Sequence, residues 1–144
     1  MLLGTYEHTI DDKNRLTLPA KFRESFGDGL VVTRGLDRGL HAYRREDWVR
    51  LVDSRVAPLD PLSQETRRIH RFLFSGAAEA DLDKQGRVIL PAPLLEHAAL
   101  GRDVVVAGIR DHLEIWDRDA WRRELAEVEG SAEDVAERLA AKSD

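Results

Sequence analysis

Cysteine is absent from this chain of 144 residues, which excludes a disulfide framework, a thiolate nucleophile and a cysteine-based zinc site. That absence suits a reducing compartment, so the cytoplasm is the expected location. Long apolar runs are lacking as well. No stretch approaches the roughly 18 apolar residues that a membrane-spanning helix needs, and the start Met1-Leu2-Leu3-Gly4 shows no basic segment leading into an apolar one, so no membrane partner is expected. Proline and glycine are sparse, at 5 and 10 residues, too few for a disordered or low-complexity chain. Hydrophobic residues at 42% and charged residues at 34% leave a core to bury. The length does not accommodate two ordinary enzymatic domains, which favours a binding module.

An excess of positive charge is also missing: the net charge is −5, the wrong sign for a protein that neutralises phosphates. The distribution matters more than the total. From Asp111 to Asp144 there are 11 acidic residues against 5 basic ones, and the remainder holds 17 basic against 16 acidic. Within Lys13 to Glu24 a basic patch of Lys13, Arg15, Lys21 and Arg23 faces only Glu24. The acidic tail is expected to serve solubility and to keep the distal face away from an anionic partner.

What the chain does contain is an internal repeat. Asp11 to Ala20 aligns without gaps on Asp83 to Ala92: both read Asp, three residues, Arg, apolar, any, Leu-Pro-Ala. After one inserted residue the match continues, Val31-Val32 on Val104-Val105, Gly35 on Gly108, Leu40 on Leu113 and Trp48 on Trp121. The expected units are a first module over 5–47, a helical linker over 48–75, a second module over 76–119 and a C-terminal helical acidic tail over 120–144.

Each copy reads as strand, strand, short helix, strand, strand. Tyr6 to Ile10 is β-prone, Asp12-Lys13-Asn14 is a turn, and Leu16-Thr17-Leu18 alternates with period two until Pro19 ends it. Asn14 and its counterpart Gly86 are the residue types that tolerate positive φ. Helices are expected from Pro19 and from Pro91, each proline at a first helical position, and closing helices over about Glu46 to Val52 and Arg118 to Val128, with Asp117 as N-cap. Asp60 and Pro61 should start a linker helix running from Leu62 to Phe74, with Leu62, Ile69, Phe72 and Leu73 as its apolar stripe and Arg67, Arg68 and Arg71 on its other faces. Gly130 should break the tail, with Ser131 and Asp134 opening a last short helix as a capping box.

No catalytic constellation emerges. His8, His41, His70, His97 and His112 include no pair at i and i+4 on one helix, so scattered surface histidines are expected rather than a metal site. Ser25, Ser54, Ser63 and Ser75 lack a nucleophile elbow, and Gly27-Asp28-Gly29 lacks the rest of a dinucleotide fingerprint. Neither an enzyme, a cofactor nor a small-molecule substrate is expected. Trp48 and Trp121 fit core or interface packing better than base stacking.

The doubled Asp11-x-x-x-Arg15…Leu18-Pro19-Ala20 and Asp83-x-x-x-Arg87…Leu90-Pro91-Ala92, with the leader Gly4-Thr5-Tyr6-Glu7-His8 and a Trp after each copy, closely resembles the MraZ family over Met1 to about Val128. Members carry two tandem SpoVT-AbrB-type modules. The resemblance implies an α+β, mainly β fold: a pseudo-symmetric double swapped-hairpin, AbrB-like β-barrel with short flanking helices, several chains forming a ring. It also implies a sequence-specific transcriptional regulator of the cytoplasm and nucleoid that binds double-stranded DNA at promoter repeats of the cell-division and cell-wall gene cluster. The family's hairpin reads Asp-x-Lys-Gly-Arg; here Asn14 replaces Gly in the first copy, and in the second Gln85 replaces Lys while Lys84 stands one position earlier.

By that resemblance the DNA contacts fall first on Lys13 and Arg15, then on Lys21 and Arg23 as phosphate contacts, and more weakly on Lys84 and Arg87. Asp11, Asp83, Asn14 and Gly86 are the hairpin-bracing residues. Arg15 and Arg87 have a competing role, pairing with Asp11 and Asp83 to close the turn. Pro93 and Leu95, which match Lys21 and Arg23, are not basic, so the first copy is expected to read DNA while the second supports it. The alternatives are an antitoxin-like module whose tail helix binds a protein and a ring-forming scaffold without DNA specificity.

Overall fold

A computed structural model describes residues 1–143; Asp144, the last residue of the acidic tail, lies outside the described residues. The elements follow one plan twice. The first copy runs β1 (Leu2–Thr9), β2 (Arg15–Thr17), α1 (Ala20–Arg23) with a 3-10 turn, β3 (Leu30–Arg34), β4 (Leu40–Arg44) and α2 (Arg45–Leu51), which continues as a π turn to Val56. After α3 (Gln64–Ser75) the second copy runs β5 (Ala78–Ala80), β6 (Arg87–Ile89), α4 (Ala92–His97), β7 (Asp103–Arg110), β8 (His112–Asp117) and α5 (Arg118–Ser143). The class is α+β, mostly antiparallel sheet with several helices.

Two pairings stay within a copy, β3 with β4 and β7 with β8, and the others join the two copies. Six strands form one antiparallel sheet in the order β1-β7-β8-β4-β3-β5, and β2 and β6 form a separate ribbon. Thus β1 pairs with β7 and β5 with β3, while β4 pairs with β8 and β2 with β6 at the centre. The strand-turn-strand expected within a copy is therefore not a self-contained hairpin: among the described residues β1 and β2 form no ladder, and the chain is joined there by the bridge of Ile10, just after β1, to Leu16 and by the Asp11 amide on the Arg15 carbonyl (3.0 Å). The expected closed barrel is replaced by this open sheet with its ribbon. The reason is length, because β2 and β6 span three residues each before the prolines at 19 and 91 remove an amide donor.

Alternation decides what is buried. Leu16 and Leu18 of the first copy and Leu90 of the second are fully buried, Val88 is 1% exposed, and they meet Phe22, Phe26, Leu30, Leu40, Leu113 and Ile115 in a core fed by both copies. Each such side chain contributes about 1.5–3 kcal/mol by leaving water, a gain realised only when the copies interlock. Trp48 and Trp121 are half-buried packing residues, Trp48 against the rings of Tyr43 and Phe74 and Trp121 edge-on to Trp116.

Several boundaries differ from expectation. Pro19 and Pro91 occupy the N-cap positions of α1 and α4, one residue before the first helical position. Ser63, not Asp60, is the N-cap of α3, and Asp60 accepts the amide of Leu62 in a preceding turn (3.0 Å). Leu62 is accordingly 86% exposed and outside the apolar stripe. Asp117 caps α5 as expected, accepting the Ala120 amide (3.1 Å). Gly130, however, breaks nothing: α5 is continuous over 26 residues, and the hydroxyl of Ser131 donates back to the Glu127 carbonyl (2.7 Å) instead of capping a new helix.

Candidate nucleic-acid interface

The two Asp-x-x-x-Arg turns have the same internal geometry. Asp11 accepts the backbone amides of Lys13 and Arg15 (2.9 Å each) and, through its second oxygen, the Arg15 Nε–H (2.7 Å). Asp83 accepts the amides of Gln85 and Arg87 (2.9 Å each) and the Arg87 Nε–H (2.7 Å). One carboxylate therefore satisfies three donors and closes the turn. The Arg15 amide first, then the Arg15 guanidinium and the Lys13 amide, hold the Asp11 carboxyl below the usual carboxylate range, and Asp83 is held down in the same way by Arg87 and Gln85.

Asn14 and Gly86 both take the left-handed conformation, with φ 59° and 75°, so the turn chemistry expected for both copies is present. Their carbonyls bind across the dyad: Leu18 donates its amide to Gly86 (2.9 Å) and Leu90 donates to Asn14 (2.9 Å). The leucine of each Leu-Pro-Ala thus fills the core with its side chain and ties down the other copy's turn with its amide.

In the ribbon, Arg15 lies opposite Ile89 and Thr17 opposite Arg87. Because Leu16 and Val88 point to the core, Arg15, Thr17, Arg87 and Ile89 share the outer face. Arg15 and Arg87 are diagonal neighbours there, about 7–8 Å apart in a regular ladder. Each keeps its Nε on the brace, and among the described residues the terminal nitrogens of neither guanidinium have a hydrogen-bond partner. Lys13 and Lys84 are exposed at the two turns, and Lys21 is exposed on α1. No ion pair involves any of these three lysines among the described residues. The face is not purely basic: Glu79, Asp81 and Asp83 line the same shallow cleft as Arg15, Arg87 and Ile89.

Arg23 sits elsewhere than its place in the sequence suggests. Its Nε–H donates to the Leu18 carbonyl (2.9 Å), and its side chain crosses to the second copy's turn, where a Cβ added to Gly86 would meet its Cδ at 2.5 Å. Burial and then the nearby Arg23 charge lower the pKa of His8. At the first turn the position matching Arg23 is not basic. Beside Asn14 lies an open cleft lined by Leu95, Leu100 and Arg102, Leu95 being the counterpart of Arg23. This explains why one turn carries Asn and the other Gly.

Sequence reasoning missed two features. It left the copies' cations separate, whereas the strand exchange brings Arg15 and Arg87 to one face and carries Arg23 to the second turn. It also took the histidines as scattered on the surface, whereas all five are half-buried and His41 stacks on His112. Arg67, Arg68 and Arg71 are exposed on α3, where Arg67 donates to the carbonyls of Pro61 and Leu62 (3.0 and 2.9 Å).

Known proteins align with this arrangement along nearly the whole chain. A family model described as "MraZ protein, putative antitoxin-like" matches twice, over residues 1–72 and 73–142. A protein of Roseiflexus castenholzii named transcriptional regulator MraZ is 46% identical over 140 residues, 97% of each chain. Proteins of the same name from Heliobacterium modesticaldum and Limosilactobacillus fermentum are 45% identical over 139 residues (96% of each chain) and 49% over 121 (84% of each chain).

Proposed function

Because the chain belongs to the MraZ family, we propose that it is a sequence-specific, DNA-binding transcriptional regulator of the cytoplasm and nucleoid, and that the exchanged strands are the swapped hairpins of that family. The observation that carries the reading is the ribbon: one strand from each copy, two braced arginines on its outer face, and an exposed lysine on the turn at each end. A guanidinium fixed through Nε retains two terminal nitrogens for a guanine edge or a phosphate, and the brace removes the side-chain entropy that binding otherwise costs.

Lys13 and Arg15 act at the first turn, and Lys84, Arg87 and Arg23 at the second, with Lys21 a phosphate contact beside them. Because the braces match, charge reversal at Arg15 and at Arg87 should weaken binding to a similar degree. A loss confined to Arg15 would return the reading to a first copy that binds DNA and a second that only supports it.

These six cations, edged by Glu79, Asp81 and Asp83, make a weak individual site, since each phosphate contact contributes a modest, salt-dependent amount. Tight binding then requires several chains on successive promoter repeats, linked in a ring so that each contact raises the effective concentration of the next. The exposed stripe of Leu125, Val128, Val135 and Leu139 along α5 supplies an apolar face for that self-association. The expected targets are repeats ahead of the cell-division and cell-wall gene cluster. Fluorescence anisotropy with duplexes carrying one, two or three upstream repeats tests this. Affinity should rise steeply with repeat number and fall steeply with salt. Equal affinity for one repeat and three would refute the linked mechanism, and no preference over random duplex would favour a scaffold or a protein-binding antitoxin-like role.

A further inference from the structure

On the sheet face opposite the core, the central ladder places His41 of β4 directly across from Glu114 of β8, with His112 two residues before Glu114 on the same face. The Nε2 atoms of His41 and His112 both lie 3.3 Å from the same oxygen of Glu114, and the three donor atoms fall within 4.8 Å of one another. We propose that His41, His112 and Glu114 form a binding site for a divalent transition metal, with Zn²⁺ the best fit, that joins the two copies at the centre of the sheet.

Three features of the geometry support a cation. Two ligands at 2.0–2.1 Å from a tetrahedral ion are about 3.4 Å apart, close to the separation of each imidazole nitrogen from the glutamate oxygen. A charge-assisted hydrogen bond would instead be about 2.7–2.9 Å, the length of the Asp111–His112 and Trp116–Glu114 contacts in the same cluster. Those outer contacts orient the ligands. Asp111 holds His112 Nδ1 (2.8 Å), the Tyr43 hydroxyl lies 3.2 Å from His41 Nδ1, and the Trp116 indole N–H donates to the other oxygen of Glu114 (2.9 Å). Each ring thus has one nitrogen occupied from outside and the other aimed inward, the arrangement by which supporting carboxylates and hydroxyls fix imidazole ligands around a metal.

The surroundings suit the chemistry. The stacked rings of His41, His112 and Tyr43 wall the site, with centroids 4.6 Å and 5.1 Å apart. His41, His112 and Glu114 retain 24%, 13% and 19% side-chain exposure, which leaves one side open for a water as fourth ligand. Two imidazoles with one carboxylate suit zinc and its neighbours better than Ca²⁺ or Mg²⁺, which take oxygen ligands. Since β4 and β8 belong to different copies, an ion bound to the folded chain but not to the unfolded one would stabilise the interlocked pair by mass action.

The test uses the full chain, stripped with a chelator and titrated with Co²⁺ and then Zn²⁺, read by visible absorption, calorimetry and thermal melting. One equivalent per chain should produce the bands of four-coordinate Co²⁺, Zn²⁺ should displace it, and the melting temperature should rise. His112→Ala and Glu114→Gln should abolish or severely weaken binding. Asp111→Asn, which removes no ligand, should weaken it about 10–100-fold, and His8→Gln should leave it unchanged. Circular dichroism of the apo variants separates loss of the site from loss of the fold. The absence of saturable binding at one equivalent in the unaltered chain overturns the proposal. So does binding that persists in a folded His41→Ala/His112→Ala chain.

Discussion

Substituting Gly86 by alanine probes the contact between the first copy's helix and the second copy's turn. At φ 75° an alanine costs about 1–2 kcal/mol, of which roughly 0.4–1 kcal/mol is returned because the unfolded chain loses freedom too. The new Cβ would also stand 2.5 Å from Arg23 Cδ and 2.6 Å from its Nε. The side chain must move and give up its hydrogen bond to the Leu18 carbonyl, worth about 1 kcal/mol. The sum is a loss of about 1–2 kcal/mol, a drop in melting temperature of roughly 3–8 °C for a chain of this size. Asn14→Ala, at φ 59° but beside the open cleft, meets no such side chain and should cost less than about 1 kcal/mol. Calorimetry on Gly86→Ala, Arg23→Ala and the double variant isolates the clash. With Arg23 truncated, the Gly86→Ala change should cost only its backbone part, giving a coupling of about 1 kcal/mol. Strict additivity, or equal losses at residues 14 and 86, would refute the packing of Arg23 across the copies.

Other consequences follow from the same geometry. Leu16→Ala, fully buried beside the dyad, should cost about 2–5 kcal/mol in urea denaturation; a loss below about 1 kcal/mol would mean that the ribbon does not close the core. Asp47 is 6% exposed and accepts hydrogen bonds from Arg44 and Arg50, so Asp47→Ala should cost about 2 kcal/mol, whereas Ala120 at the matching position of the second copy should accept Ser with little change. The carboxyls of Asp11 and Asp83 lie below their ordinary value. Their stabilising contribution is therefore complete above the ordinary carboxylate range and is lost as pH falls through the lowered values. Carboxyl NMR titration should find both below a typical Asp, and Asp11→Asn/Asp83→Asn should flatten the acid limb of the stability profile.

The order of elements was legible because turn chemistry and alternation are local. Asp, Asn or Gly, Arg and Leu-Pro-Ala each specify one backbone choice within a few residues, and both copies make the same choices. Strand partners were not, since the apolar alternation of β2 is satisfied equally by β1 or β6. Only the shared core of Leu16, Leu18, Val88 and Leu90 decides in favour of exchange. Gly130 misled for a related reason. A helix-interior glycine costs about 1 kcal/mol, and the alanine, glutamate, arginine and leucine around it keep α5 continuous. In the site, the Asp-x-x-x-Arg brace could be read directly, whereas the position of Arg23 and the meeting of His41 with His112 depend on pairings between residues some seventy positions apart.

The central claim is that the ribbon and its two turns are the surface that meets DNA. Amide NMR or hydrogen exchange on the full chain, with and without a duplex carrying the upstream repeats, tests it most directly. Binding should perturb residues 12–17, 21–23 and 84–89 and leave the outer face of β4 and β8 unchanged. Perturbation confined to α3 or α5, with both turns unaffected, would contradict it.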